Sequence, residues 1–462
     1  MNIKTLLMAI NVELLRFYAE DFDFSQELSL PDFTTAKNGM TVTFPDKARA
    51  LVSELSDLIY ENHKETVKKI DKEKHYQAVK QSIAEIFSEG KLDLLGTAEN
   101  VGRHVEKEFK KKLKEIISKN ILTITHHIFA NTVLSEAFNE TSFGNIKIES
   151  FSEWVLSSNF SSKPNKQLYP NEVFDSAWKK KIIRKINGED SDIVLDNFGE
   201  KLYKISKNAS SVISIEISGY EKTTSRKIAK LISKSSLDFL SLLCGIKKSF
   251  VQNTISEGRN IPFAFHPISS IDGLVGHPGA SFTDRVNKID PNNLINLLNE
   301  SKTFIEAFDF ITCGIIDIDT HPHPELCIRW LTALDWYAEA QREETDAIAL
   351  AKLGISLDTL SNGGKADGII ALMRNLSGIS ENGIVKAKPK EINLKDLVYK
   401  LYNNGRSRIV HGDFIDRLQT YDVEIADAAY LCRFALLECA LRLKKYSGED
   451  EPNAFKQMPS LQ

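Results

Sequence analysis

Between Tyr421 and Tyr446 the chain carries Ile425, Ala428, Cys432, Ala435 and Cys439 on one helical stripe, spaced by three and four. Small side chains on such a stripe let helix axes approach closely, so this segment needs partner helices and reads as bundle core. The stretches ELCIRWLTALDWYAEAQRE, DAIALAKLGISLDTLS and NLKDLVYKLYNNGRSRIVHG supply them, each with helical spacing. The chain after Leu294 is therefore expected to be helical almost to its end, as an all-α bundle over 301–446. The polar tail, 447–462, is expected to fray.

The preceding residues have a different texture. Residues 47–120 read as long charged helices, with Val67, Ile70, Val79, Ile83 and Ile86 at helical spacing. Within them EKEFKKKLKEIISK fits either a nucleic-acid tether or the solvated face of an amphipathic helix, and the solvated face is the favoured reading. From about Ile121 the residues ILTITHHIFANTVL and FGNIKIESF cluster β-formers around the turn-like NETSFGN. SSVISIEISGY is a further strand with Ile213, Ile215 and Ile217 on one face, and TTSRKIAKLISKSSLDFLSLLCG is a helix stopped by Gly245. The expected fold class is multidomain α+β. A mainly helical N-terminal region (1–120) and an α+β domain (121–250) precede a Gly/Pro-rich interdomain segment (251–300) and the bundle.

Composition removes several classes. An apolar share of 42% with 9% aromatics supports a large core and argues against intrinsic disorder. A net charge of -4, from 59 Lys and Arg against 63 Asp and Glu, excludes binding nucleic acid by bulk charge but leaves room for a local basic site. The five cysteines are scattered, with no C-x-x-C pair, which excludes a disulfide framework and points to a reducing cytosol. The N-terminal MNIKTLLMAINVELLRF resembles a signal peptide until Glu13 and Arg16 interrupt it, and no run approaches the ~18 apolar residues that span a bilayer. The expected location is cytoplasmic, with no membrane partner.

Several clusters could carry chemistry. IIDIDTHPHPE reads as an apolar, strand-like run ending in Asp319, His321 and His323, an H-x-H arrangement suited to a hydrolytic metal. Only His411 follows it, however, and Pro322 and Pro324 more simply make a rigid turn before a helix. SNGGKADG lacks the second P-loop glycine and has Ala366 where a hydroxyl should hold magnesium, so it reads as a helix–helix loop. His126 and His127 lie in a strand, where alternate side chains face opposite ways and cannot share one metal.

The remaining candidate is Arg406-Ser-Arg-Ile-Val-His411-Gly412. A guanidinium offers forked donors to a phosphate, and an imidazole can move a proton near neutral pH. Arg259 to His266 also fits the broader pattern of Arg and His separated by four to six residues, but sits in the Gly/Pro segment without a helical frame. On an ideal helix Arg406 and His411 would point about 140° apart. They converge only if the helix ends or bends, which Gly405 and Gly412 permit. The competing reading pairs Arg406 and Arg408 with nearby acids and leaves His411 capping a helix C-terminus.

The stretch LVYKLYNNGRSRIVHG, followed by a long amphipathic helix, resembles the Apea-like branch of the HEPN superfamily, whose hallmark is close to R-S-x-I-V-H-G with a Tyr shortly upstream. The resemblance covers about residues 300–446, and Asp358 stands where the family often has a Glu near the end of its second helix. FGNIKIESF and VISIEISGY more loosely resemble the regions that precede such domains. The resemblance implies an α-helical HEPN bundle that dimerises and brings two such motifs into one cleft. It implies a metal-independent endoribonuclease in which Arg406 holds the scissile phosphate and His411 acts as general acid or base. Products would carry a 2',3'-cyclic phosphate and a 5'-hydroxyl.

Tyr402, Ser407 and Arg408 are then supporting or RNA-contacting residues, although many active members carry Asn, Asp or His where Ser407 stands. RNA, tRNA among it, is the expected substrate, a second copy of the chain the expected partner, and no cofactor is called for. The role that follows is an anti-phage defence effector, with a phage-derived or regulatory trigger acting on the N-terminal half. An inactive HEPN module binding RNA or protein is the main alternative, and a metal hydrolase using Asp319, His321 and His323 is a third.

Overall fold

The computed structural model describes residues 2–460 apart from 24, 26–28, 63–68, 97–98, 135–139, 191, 208, 259–263, 266–268, 277–280, 283–288, 389–390 and 413–418. It is mixed α+β, with helices dominating. The contacts divide the chain into two units, Met1–Ile124 with Ile217–Ile228, and Thr125–Glu216 with Ala229–Gln462. Part of the expected 251–300 interdomain segment, including Arg259 and His266, lies outside the described residues.

In the first unit, helix Ile3–Phe17 begins where the Asn2 side chain accepts the Thr5 N–H, and it buries Leu6, Leu7, Ile10 and Leu14 at spacings of one, three and four. Helices Asp46–Asn62, Lys72–Ser88 and Glu99–Asn120 add Val52, Leu55, Val79, Ile83, Phe109 and Leu113 to the same core. Each fully buried Leu or Phe contributes roughly 1.5–3 kcal/mol. The lysine-rich face of Glu99–Asn120 is solvated. Lys110 pairs with Glu106 at 2.6 Å and Lys112 with Glu89 at 2.5 Å. An unexpected hairpin also belongs to this unit. Strands Asp32–Thr35 and Thr41–Phe44 pair antiparallel across a turn in which Gly39 takes φ 87°, a conformation that favours glycine.

The second unit holds most of a five-stranded sheet, ordered Glu140–Phe143, Ile146–Ser150, Ser211–Glu221, Ile121–Asn131, Thr254–Ile255. The segment read as the turn NETSFGN is mostly strand: Glu140–Phe143 pairs with Ile146–Ser150, and among its described residues only Gly144 and Asn145 turn. The Asp309 side chain lies so close to Gly144 that a Cβ there would sit 1.4 Å from its Oδ1, so this turn requires glycine. His126 is buried and His127 faces the other way, as strand alternation demands.

Helix Lys222–Cys244 ends at Gly245, φ 68°, and Arg433 caps it by donating to the Leu242 carbonyl at 3.1 Å and the Leu243 carbonyl at 3.4 Å. Helices Lys302–Ile316, Pro324–Gln341, Asp346–Leu360, Lys365–Ser377 and Asp422–Lys445 pack around Trp330, whose indole N–H donates to the Leu436 carbonyl at 2.8 Å. Phe239 and Phe308 stack at 4.3 Å beside it.

Two expectations are overturned here. The strand-like run before Asp319 is the end of helix Lys302–Ile316, with Phe308, Ile311, Ile315 and Ile316 buried at helical spacing. The tail from Ser447 does not fray. Ala454, Phe455 and Met458 are buried, Asn375 donates to the Phe455 and Met458 carbonyls at 3.1 and 2.9 Å, and Asp450 accepts the Glu325 and Leu326 N–H groups that open a helix. Among the described residues, no helix is long and apolar enough to cross a membrane.

Candidate functional site

The R-S-R-I-V-H-G segment follows helix Leu394–Tyr399, which starts where the Asn393 side chain accepts the Asp396 N–H. The helix then widens. Lys400–Ser407 is π-helical and Arg408–Val410 returns to α geometry. Such stretches are rare and occur often at functional sites. Two glycines fix this one against helix Asp346–Leu360. A Cβ on Gly405 would lie 2.8 Å from Leu350 Cδ2, and a Cβ on Gly354 would lie 2.6 Å from the Cβ of Arg406. The Arg406 side chain can therefore run across Gly354 to Asp358, one turn further along that helix.

There the guanidinium is clamped. Nη1 donates to the Tyr402 hydroxyl at 3.1 Å, Nη2 to Asp358 Oδ2 at 3.4 Å, and the guanidinium carbon sits 5.1 Å from the centre of the Tyr402 ring. The Arg406 and Asp358 side chains are each 20% exposed. Arg406 Nε and Asp358 Oδ1 are buried without a hydrogen-bond partner. This site holds a cation with an unused donor, positioned by the Tyr402 hydroxyl and ring and by one long carboxylate contact. Burial pushes the Asp358 carboxyl above its ordinary value although Arg406 pulls it down. Burial and the Asp358 charge also raise the Tyr402 phenol.

The shift on Asp358 has a sign that can be measured. A carboxyl with a raised folded-state pKa contributes stability that is fully present below its unfolded value and is lost as pH rises through the folded one. Asp358→Asn removes that loss, so its melting temperature is expected to gain on the wild type as pH rises above the ordinary carboxylate range. Melts whose difference stays flat or reverses would contradict the assigned environment.

His411 ends the α-helical turn. Its backbone N–H donates to the Ser407 carbonyl at 3.0 Å, and Gly412 follows with φ 79°. Its ring is exposed, as is Arg408, which has no ion pair among the described residues. No hydrogen bond joins Arg406 to His411 among the described residues. Within one chain the fold brings Arg406, Tyr402 and Asp358 together and leaves His411 and Arg408 facing solvent. Residues 413–418, directly after the motif, lie outside the described residues.

Asp319, His321 and His323 do not form a metal centre. His323 Nε2 donates to the Tyr446 carbonyl at 2.8 Å, and His321 Nδ1 accepts the His323 backbone N–H at 3.1 Å. The His321 ring packs on Phe310 at 4.4 Å, and Asp319 lies exposed on the turn. Burial lowers the His321 pKa. Among the described residues no group of three or more His, Cys, Asp or Glu could hold a metal ion. His323 instead ties this turn to the Tyr446 carbonyl, just before the tail. SNGGKADG is a helix–helix loop in which Asn362, Gly363, Gly364 and Lys365 all take positive φ.

The sequence reading did not find Leu350 and Gly354. Their role is to meet Gly405 and Arg406 across two helices, and no local pattern carries that information. No family model matches the chain, and neither a curated protein nor a solved structure matches it.

Proposed function

We propose that the C-terminal bundle is a metal-independent endoribonuclease of the HEPN type, working as a homodimer, and that the chain is a cytoplasmic anti-phage effector whose N-terminal half senses or regulates. The observation that carries this reading is the clamp of Arg406 by Asp358 and Tyr402 at the π-helical R-S-R-I-V-H-G segment. It supports the resemblance, in which Asp358 stands where the family often has Glu. Arg406 offers its fixed charge to a phosphate, and exposed Arg408 offers a second cation to the RNA backbone.

In the reaction the 2'-oxygen of the RNA forms a bond to phosphorus as the bond from phosphorus to the 5'-oxygen breaks. His411 takes the 2'-hydroxyl proton, or supplies one to the departing 5'-oxygen, while Arg406 stabilises the charge on the phosphate. DNA lacks the nucleophile and is expected to remain intact. Because Arg406 and His411 do not meet in one chain, the composite cleft of a dimer is part of the proposal.

The test is incubation of the full chain, in EDTA, with total tRNA and with a generic single-stranded RNA, beside His411→Ala. Cleavage by the wild type alone supports the reading, and cleavage that survives the substitution sinks it. A non-catalytic HEPN module is the second reading, favoured by Ser407 and by a guanidinium already engaged by Asp358. RNA binding with no cyclic-phosphate product would select it.

A further inference from the structure

The first unit contains a cavity of about 360 Å³ between its helices, within the range of about 300–1,000 Å³ that holds small ligands. Four aliphatic side chains form much of its wall. Ile3 comes from helix Ile3–Phe17, Ile59 from Asp46–Asn62, and Leu113 and Ile117 from Glu99–Asn120. Three polar side chains converge on this apolar space. His75 is fully buried in the wall, with Nδ1 held 2.9 Å from the Ser56 hydroxyl and its ring 5.2 Å from that of Tyr60. Lys110 and Lys114 complete the lining.

The charge arrangement selects the ligand. Lys110 and Lys114 are four residues apart on one helix, so both ammonium groups lie on the same face, an unfavourable pairing of like charges. Glu106 offsets Lys110 at 2.6 Å, while Lys114 is exposed and has no ion pair among the described residues. Among the described residues no carboxylate lines the cavity. An anionic group at this end would relieve the repulsion, and an apolar body of ring size would fill the space between the four aliphatic walls. We propose that this cavity binds a small amphipathic organic anion, with its charged group on Lys110 and Lys114 and its apolar body against Ile59, Leu113 and Ile117. The site stands whether or not the bundle cleaves RNA.

The probe is 1-anilinonaphthalene-8-sulfonate, titrated into the full chain and read by fluorescence. The expected result is a saturable enhancement with one site per chain. Charge reversal at the exposed position, Lys114→Glu, should weaken it at least tenfold, and Ile117→Trp should abolish it by filling the cavity. Lys180→Glu, an exposed charge reversal in the other unit, should leave it unchanged. Naphthyl phosphate should compete, whereas neutral naphthalene should not. Circular dichroism checks that each variant is folded, and Lys114→Glu keeps the test decisive if Ile117→Trp fails to fold. No enhancement with the wild type, an affinity indifferent to Lys114→Glu, or equal competition by naphthalene would each overturn the proposal.

Discussion

Replacing Arg342 with Met is expected to destabilise the second unit by about 3–5 kcal/mol, a large share of the 5–15 kcal/mol that holds a typical domain folded. Arg342 is 4% exposed and Asp238, on helix Lys222–Cys244, is 1% exposed. The guanidinium bonds Asp238 and Glu339 and donates to the carbonyls of Phe250 at 2.8 Å and Asn253 at 3.3 Å. Asn253 in turn accepts the Val133 N–H at 2.8 Å and donates to Ser241 at 2.9 Å, so one network ties the sheet edge to two helices.

Removing the guanidinium leaves a buried carboxylate with only Lys234, at 3.2 Å, and strips donors from two carbonyls. Combining Arg342→Met with Asp238→Leu removes both charges and is expected to recover most of the loss, because what costs most is a buried charge left alone. Urea denaturation of both variants checks this. A single-variant loss below about 1 kcal/mol would mean that the pair is not desolvated.

On the proposed reading, His411→Ala is expected to lower RNA cleavage by about 10²–10⁴-fold, the usual contribution of a positioned proton-transfer group. The substitution is a clean one. The imidazole is exposed at the end of a helical turn, so stability should stay within about 0.5 kcal/mol of the wild type. Arg406→Ala should also abolish cleavage, by about 10²–10³-fold for loss of one charge-stabilising donor set. It is the less discriminating variant, since it also empties the space over Gly354 and leaves Asp358 without its cation. Initial rates on one RNA, with melting curves alongside, separate the two. Full activity in His411→Ala would remove the imidazole from the mechanism.

Much of the helical architecture was legible because it rests on local spacing. The small-residue stripe from Ala428 to Cys439 is buried as expected, and Gly245 ends the preceding long helix in a left-handed conformation. Asn38-Gly39 between two short β-forming runs was an available signal for the hairpin at 32–44 that the reading passed over. The run ending at Ile316 is ambiguous in principle, because a short apolar stretch fits a buried strand or a buried helix equally well. The tail was misjudged by its polarity. Phe455 and Met458 are few among polar neighbours, but buried Arg442 donates to the Met458 carbonyl at 3.0 Å and the Leu376 carbonyl at 2.8 Å, which holds the end of the chain in place.

The cluster of Arg406, Tyr402 and Asp358 was visible in the sequence only through a motif and a resemblance. The π-helical widening that aims Arg406 depends on Leu350 and Gly354, some 50 residues earlier in the chain, as their positions against Gly405 and Arg406 show. Periodicity cannot report such a contact, because tertiary packing sets it.

The most direct measurement is the chemistry of the cut ends. RNA digested by the full chain in EDTA would be analysed by mass spectrometry and by end-labelling. Cleavage through the 2'-hydroxyl predicts 2',3'-cyclic phosphate and 5'-hydroxyl ends and an intact DNA counterpart. Ends carrying a 5'-phosphate and a 3'-hydroxyl, or cleavage of the DNA, would contradict the assignment of Arg406 and His411.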